Sequence, residues 1–215
     1  MTDFVYWIGA LVIAITIHEF AHALAAEHLG DPTPRLQGRL TLNPLAHLDP
    51  IGTIMLILVH FGWGKPVVFD PFNLRHPRRD AAIISLAGPV SNLVLATVCA
   101  IALHLLFFSG LSRITYHVSL ITLFLSGFLP TLITLNVVLA VFNLIPIHPL
   151  DGFKIVGGIL PKEYARSWYE LEGYGMIFLI FLLFPIFGGT APIAQIISPI
   201  INFILSLLIP AARSI

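Results

Sequence analysis

The chain has 215 residues, 57% of them hydrophobic and 10% charged, with 16 Phe and a formal net charge of zero. A water-soluble domain of this length carries about 25% charged residues to solvate its surface, so an ordinary cytosolic enzyme and a disordered tail are both excluded. Zero net charge leaves no basic field for a nucleic acid, and a mean hydropathy of +0.93 points to a chain whose solvent is the bilayer. Cys99 is the single cysteine, which rules out a disulfide framework and reads as a small buried hydrophobe.

Residues 4–27 form the first apolar run of the ~20 residues that a spanning helix needs. Ala23-Leu24-Ala25 resembles a leader cleavage site, but no basic residue precedes the run and His18, Glu19 and His22 interrupt it, so the segment is expected to be retained. Residues 31–80 are different in kind. Asp31-Pro32, Asn43-Pro44, Asp49-Pro50, Lys65-Pro66, Asp70-Pro71 and His76-Pro77 are turn signals too dense for a membrane helix. Inside this stretch, residues 51–63 are apolar but too short to span, which predicts a re-entrant or interfacial segment. Residues 38–43 and 66–69 have strand-like composition and are predicted to pair as a re-entrant hairpin. Its edge either accepts an extended substrate by β-augmentation or merely plugs the cytoplasmic end. Further spans are predicted at 81–108, 117–145, 174–188 and 192–210, with 152–160 a half-helix at the surface. The expectation is an all-α polytopic membrane protein, a single domain over residues 1–215. It has about five to six transmembrane helices and a re-entrant β-hairpin/short-helix insertion at 31–80.

The chemistry begins at His18-Glu19-Phe20-Ala21-His22. Helix residues four apart differ by about 40° in direction, so both imidazoles leave one face and can share a metal ion. Glu19, offset by about 100°, is poorly placed as a third ligand but can reach a water beside that metal. Two neutral imidazoles suit Zn²⁺, which keeps one position open in catalytic sites. A carboxylate inside a span is expensive in hydrocarbon, which favours function over three polar residues that merely satisfy one another. A zinc site needs a third protein ligand, and Asp151 is a candidate. It follows the span 117–145, where Pro146 and Pro149 break the helix and Gly152 permits a sharp turn. A plain helix-ending turn reads equally well from these residues, and His148 is an alternative ligand.

The first-helix motif followed by Asn143-Leu144-Ile145-Pro146-Ile147-His148-Pro149-Leu150-Asp151-Gly152 resembles the site-2 protease family of intramembrane zinc metalloproteases. Ala87-Gly88-Pro89 belongs to the same resemblance, which runs to about residue 160. It implies one Zn²⁺ per chain held by His18, His22 and Asp151, with Glu19 as general base and Asn143 stabilising the oxyanion. It also implies cleavage of peptide bonds within or near transmembrane segments of membrane-protein substrates. The family's PDZ or CBS domains have no counterpart in these residues, so a minimal catalytic core is expected.

Topology adds an independent check. Asp151 must emerge at the membrane level of the histidines, which three preceding crossings achieve and four do not. With five spans, ten of the eleven Lys and Arg share one face, leaving only Arg113 opposite. That bias places the active site toward the cytoplasm of a cell inner membrane and the N-terminus outside. Asn92 is expected to bond across helices. His47 and His60 read as interfacial or supporting residues, and His104 and His117 as snorkelling at the outer loop. Trp63, Trp168 and Tyr169 fit an aromatic belt. The partners are the bilayer and transmembrane substrates, with no nucleic acid, and the oligomeric state stays open. A zinc transporter or an inactive membrane adaptor is the competing class; a metal pathway, however, would want ligands on several spans and levels.

Overall fold

The computed structural model describes residues 2–59, 63–108, 120–185 and 189–209. The readings on His60, Arg113, His117 and Arg213 lie outside the described residues.

Helix α1 (Thr2–His28) is followed by a single-turn α2 (Thr33–Leu36), a 3-10 turn at Pro44–Ala46, α3 (Pro50–Val59) and a second 3-10 turn at Pro71–Asn73. Then come α4 (Pro77–Phe108), α5 (Leu120–Asn143), α6 (Asp151–Ile159), α7 (Lys162–Glu170), α8 (Glu172–Leu183) and α9 (Pro192–Leu208). Three helices are long and apolar enough to cross a membrane, over Asp3–His28, Pro77–Leu106 and Phe124–Asn143. The expected spans at 174–188 and 192–210 correspond to helices of 12 and 17 residues. Both are shorter than the ~20 residues of a perpendicular span. At 10 residues α3 is shorter still.

Helices α1, α4 and α5 pack against one another around small residues. Ala10, Ala14, Ala96, Ala100 and Ala140 are all buried. In lipid no hydrophobic force drives helix against helix, so close approach over small side chains and buried hydrogen bonds must hold the bundle. The opposite face of α4 carries Val90, Val94, Val98, Ile101 and Leu105, all exposed and recurring at helical spacing. That stripe suits acyl chains.

Among the described residues there is no β-strand. Residues 38–43 and 66–69 form no ladder, and the only pairing nearby is an isolated antiparallel bridge between Leu48 and Gly64. One reason lies in Arg39, which is 4% exposed. Its guanidinium donates to the carbonyls of Lys65 and Pro66, where the second predicted strand begins, and to that of Ala46. Pro66 also has no N–H to offer. The Arg39 side chain and that single bridge, not a strand pair, therefore join the two arms of the insertion. The other end of the insertion is fixed by Asp31, which is fully buried. Its carboxylate accepts from Thr33 N and Oγ1, Asp70 N and Asn73 Nδ2, at 2.6–3.0 Å.

Candidate metal centre

Each imidazole of α1 is oriented from behind. Asn92 Nδ2 donates to Ala14 O at 3.1 Å and to Asn136 Oδ1 at 2.7 Å, which fixes which way its amide faces. The atom 2.6 Å from His18 Nδ1 is therefore the Asn92 carbonyl oxygen. An amide oxygen only accepts, so His18 carries its proton on Nδ1. His22 Nδ1 meets the Ile84 carbonyl at 2.7 Å, with the same consequence. In the neutral imidazoles both Nε2 atoms then present lone pairs.

These lone pairs converge. The two Nε2 atoms stand 3.0 Å apart, and Asp151 Oδ2 lies 3.1 Å from that of His18 and 3.3 Å from that of His22. Three acceptors with no donor among them repel one another, and a cation between them reverses the sign. The spacing also fits: tetrahedral bonds of ~2.0–2.1 Å place neighbouring ligand atoms about 3.3 Å apart. Orientation of each imidazole through its second nitrogen is the usual arrangement behind metal-binding histidines.

Why the chain folds this way is local. His18 and His22 share a face of α1, and α4 crosses them at Gly88. A Cβ there would sit 2.4 Å from His22 Nε2 and 2.6 Å from His18 Cε1, so no larger residue fits. Pro89 deprives the Ser85 carbonyl of its helical donor, and one residue earlier the Ile84 carbonyl serves His22. Asp151 is the first residue of α6, and α6 is docked on α4. Gly158 approaches so closely that a Cβ would lie 2.4 Å from that of Ala82. Arg78 Nη2 donates to Gly157 O at 3.0 Å and to Leu160 O.

This geometry falls inside a family match: residues 6–185 match Peptidase family M50. The chain belongs to peptidase family M50. By that membership it is a metallopeptidase, and the resemblance to site-2 proteases holds. It is 38% identical over 185 residues to YwhC of Bacillus subtilis, covering 84% of this chain and 81% of that protein, which is named as a zinc metalloprotease. Rip2 of Mycolicibacterium smegmatis, also so named, is 32% identical over 193 residues, covering 84% and 67%. Rip2 of Mycobacterium tuberculosis is 31% identical over 193 residues, covering 86% and 70%. No solved structure matches the chain.

The remaining candidates of this M50 chain are placed as follows. Glu19 stays outside the ligand triangle, half-buried, with Oε2 accepting the Val67 N–H at 2.8 Å. Asn143 does not join the triangle either: its Nδ2 donates to Leu139 O, one turn back, at 3.0 Å. His148 is turned toward Glu172, 3.3 Å away. His47 is fully buried, with Nε2 donating to Thr41 O at 2.7 Å. His104 bonds Ala100 O within α4 at 2.8 Å. Asn136, also fully buried, was not anticipated; it donates to Leu132 O at 2.8 Å and accepts from Asn92. The signal for it existed, an amide in the middle of an apolar span. The Ile84 carbonyl gave no signal, because a backbone atom has no letter.

Proposed function

We propose that the chain is an intramembrane zinc metalloprotease that hydrolyses peptide bonds within or near the transmembrane segments of membrane proteins. The observation that carries this is the convergence of three acceptor atoms from His18, His22 and Asp151 at 3.0–3.3 Å. Family membership supports it, as do relatives named as zinc metalloproteases. His18 and His22 would hold the ion through Nε2 and Asp151 through Oδ2, one ion per chain. When bound, zinc makes water nucleophilic near neutral pH and polarises the scissile carbonyl.

The chain's own groups do the rest. Glu19 accepts the proton of the attacking water and passes it to the leaving amine. The Val67 N–H holds one of its oxygens, and no hydrogen bond among the described residues engages the other. Asn143 stabilises the oxyanion once its amide turns from Leu139 O toward substrate, and Asn143→Ala lowers turnover about 10²-fold. The substrate must unwind locally, because helical carbonyls are engaged in hydrogen bonds.

In the membrane, α1, α4 and α5 make the three crossings before Asp151. We read α3 as re-entrant, α8 and α9 as the further, shorter spans, and the catalytic end as cytoplasmic in an inner membrane. Glu19→Gln tests the reading. Purified variant enzyme should retain its zinc and lose cleavage of a transmembrane reporter by about 10²–10⁴-fold. Full activity removes Glu19 from its role. Zinc flux into liposomes, with no cleavage by the wild type, would favour a transporter instead.

A further inference from the structure

Between the start of α4 and the end of α6 lies a cavity of about 750 Å³. Arg75, His76, Arg78, Arg79 and Lys162 line it, and among the described residues no carboxylate does. The nearby Asp80 is buried and turned back on its own helix start, accepting the His76 N–H at 2.8 Å. Arg75, Arg79 and Lys162 are exposed, and none of them forms an ion pair among the described residues. Arg78 spends Nη2 on the Gly157 and Leu160 carbonyls. The first turn of α4, a helix of 32 residues, adds the positive end of its dipole.

Four cations around one cavity with no carboxylate among its lining residues repel one another. An anion with several oxygens offsets that repulsion, and guanidinium groups match phosphate geometry. The level of the cavity narrows the choice. It sits where the spanning segment of α4 begins, at Pro77, so it opens at headgroup depth. Trp168 and Tyr169 on the adjoining α7 suit the same depth.

We propose that this cavity binds a phosphate group, that of an anionic phospholipid in the adjoining leaflet. Basic pockets at the ends of spanning helices suit such headgroups. The site shares no residue with the metal-ligand cluster and does not depend on the proteolytic reading. Arg78 is left unchanged in the test because it holds α6, which opens with Asp151.

The experiment uses the purified full chain in a nonionic detergent, with lipid retention read by native mass spectrometry. Phosphatidylglycerol, phosphatidylcholine and inorganic phosphate are offered separately. Wild type should retain phosphatidylglycerol over phosphatidylcholine. The variant Arg75→Gln/Arg79→Gln/Lys162→Gln should bind phosphatidylglycerol on the order of 100-fold more weakly, about fivefold per cation, with phosphatidylcholine unaffected. If the triple variant does not fold, Arg79→Gln and Lys162→Gln alone should each show about the fivefold loss. Inorganic phosphate bound by wild type and lost in the variant, with the two lipids indistinguishable, supports the phosphate site and overturns its lipid source. Equal phosphatidylglycerol binding by wild type and variants overturns the site, as does binding of neither probe.

Discussion

The proton on His18 is placed by an amide two helices away. Asn136 donates to Leu132 O, Asn92 donates to Asn136, and His18 donates to Asn92, so each polar atom in this fully buried row is used in one direction. Reversing any member leaves two acceptors face to face, which is costly where no water can intervene. Asn92→Ala removes the acceptor of His18 Nδ1, and zinc affinity should fall about 10–100-fold. Competition with a chelator of known affinity checks this, and unchanged affinity would show that Asn92 merely packs. At this scale the sequence was informative where spacing alone decides. His18 and His22, four apart, could be assigned to one face before any coordinates. Asp151 could be narrowed to a candidate from its proline-flanked position. What spacing cannot supply is the rotamer. Asn143 occupies the position that the family resemblance singles out, yet its amide bonds to its own helix, and nothing in the letters encodes that torsion.

Among the elements, the insertion departs furthest from its expected form. Strand-like composition at 38–43 and 66–69 was legible, but propensity for extended backbone does not choose the partner of each carbonyl. Arg39, a buried charge, takes the Pro66 carbonyl together with those of Lys65 and Ala46 beside the two segments. The segment still reaches Glu19 through the Val67 N–H. Val67→Pro deletes that N–H, so reporter cleavage should drop about tenfold or more while zinc content holds. Val68→Pro separates two uses of the segment. Loss of cleavage there too means that the exposed edge receives substrate, whereas normal cleavage confines the role of the segment to Glu19.

The anchor at Asp31 gives this element a pH signature. Burial pushes its carboxyl upward, but the hydrogen bonds from Thr33, Asn73 and Asp70 outweigh that and hold it below the usual carboxylate range. A carboxyl lowered in the folded state contributes stability that is present above its unfolded value of about 4 and is lost as pH falls through the folded value. Melting of the wild type in detergent should therefore move down on acidification below about pH 4. Asp31→Asn should destabilise at neutral pH by about 1–3 kcal/mol and show a shallower acid limb. An identical acid limb in both proteins would assign the effect to another carboxylate.

For the whole molecule, composition alone identified a membrane protein, because 10% charged residues cannot cover 215. Three of the five expected spans are helices of full length; the two at the C-terminal end are short, since runs of apolar letters do not register where Pro192 restarts a helix. Parity is the testable part. In a Cys99→Ala background, Asp3→Cys and Glu163→Cys should be labelled from opposite sides of the membrane by an impermeant thiol reagent, Glu163→Cys from the cytoplasm. Labelling of both from one side would mean an even number of crossings between them.

The converging acceptor atoms of His18 and Asp151 are separated by 133 positions along the chain. During synthesis the histidines enter the bilayer long before the carboxylate has been translated, so the three acceptor atoms cannot converge until the third long helix has been inserted and α6 has docked. The cluster therefore closes late, when only α7, α8 and α9 remain to be placed.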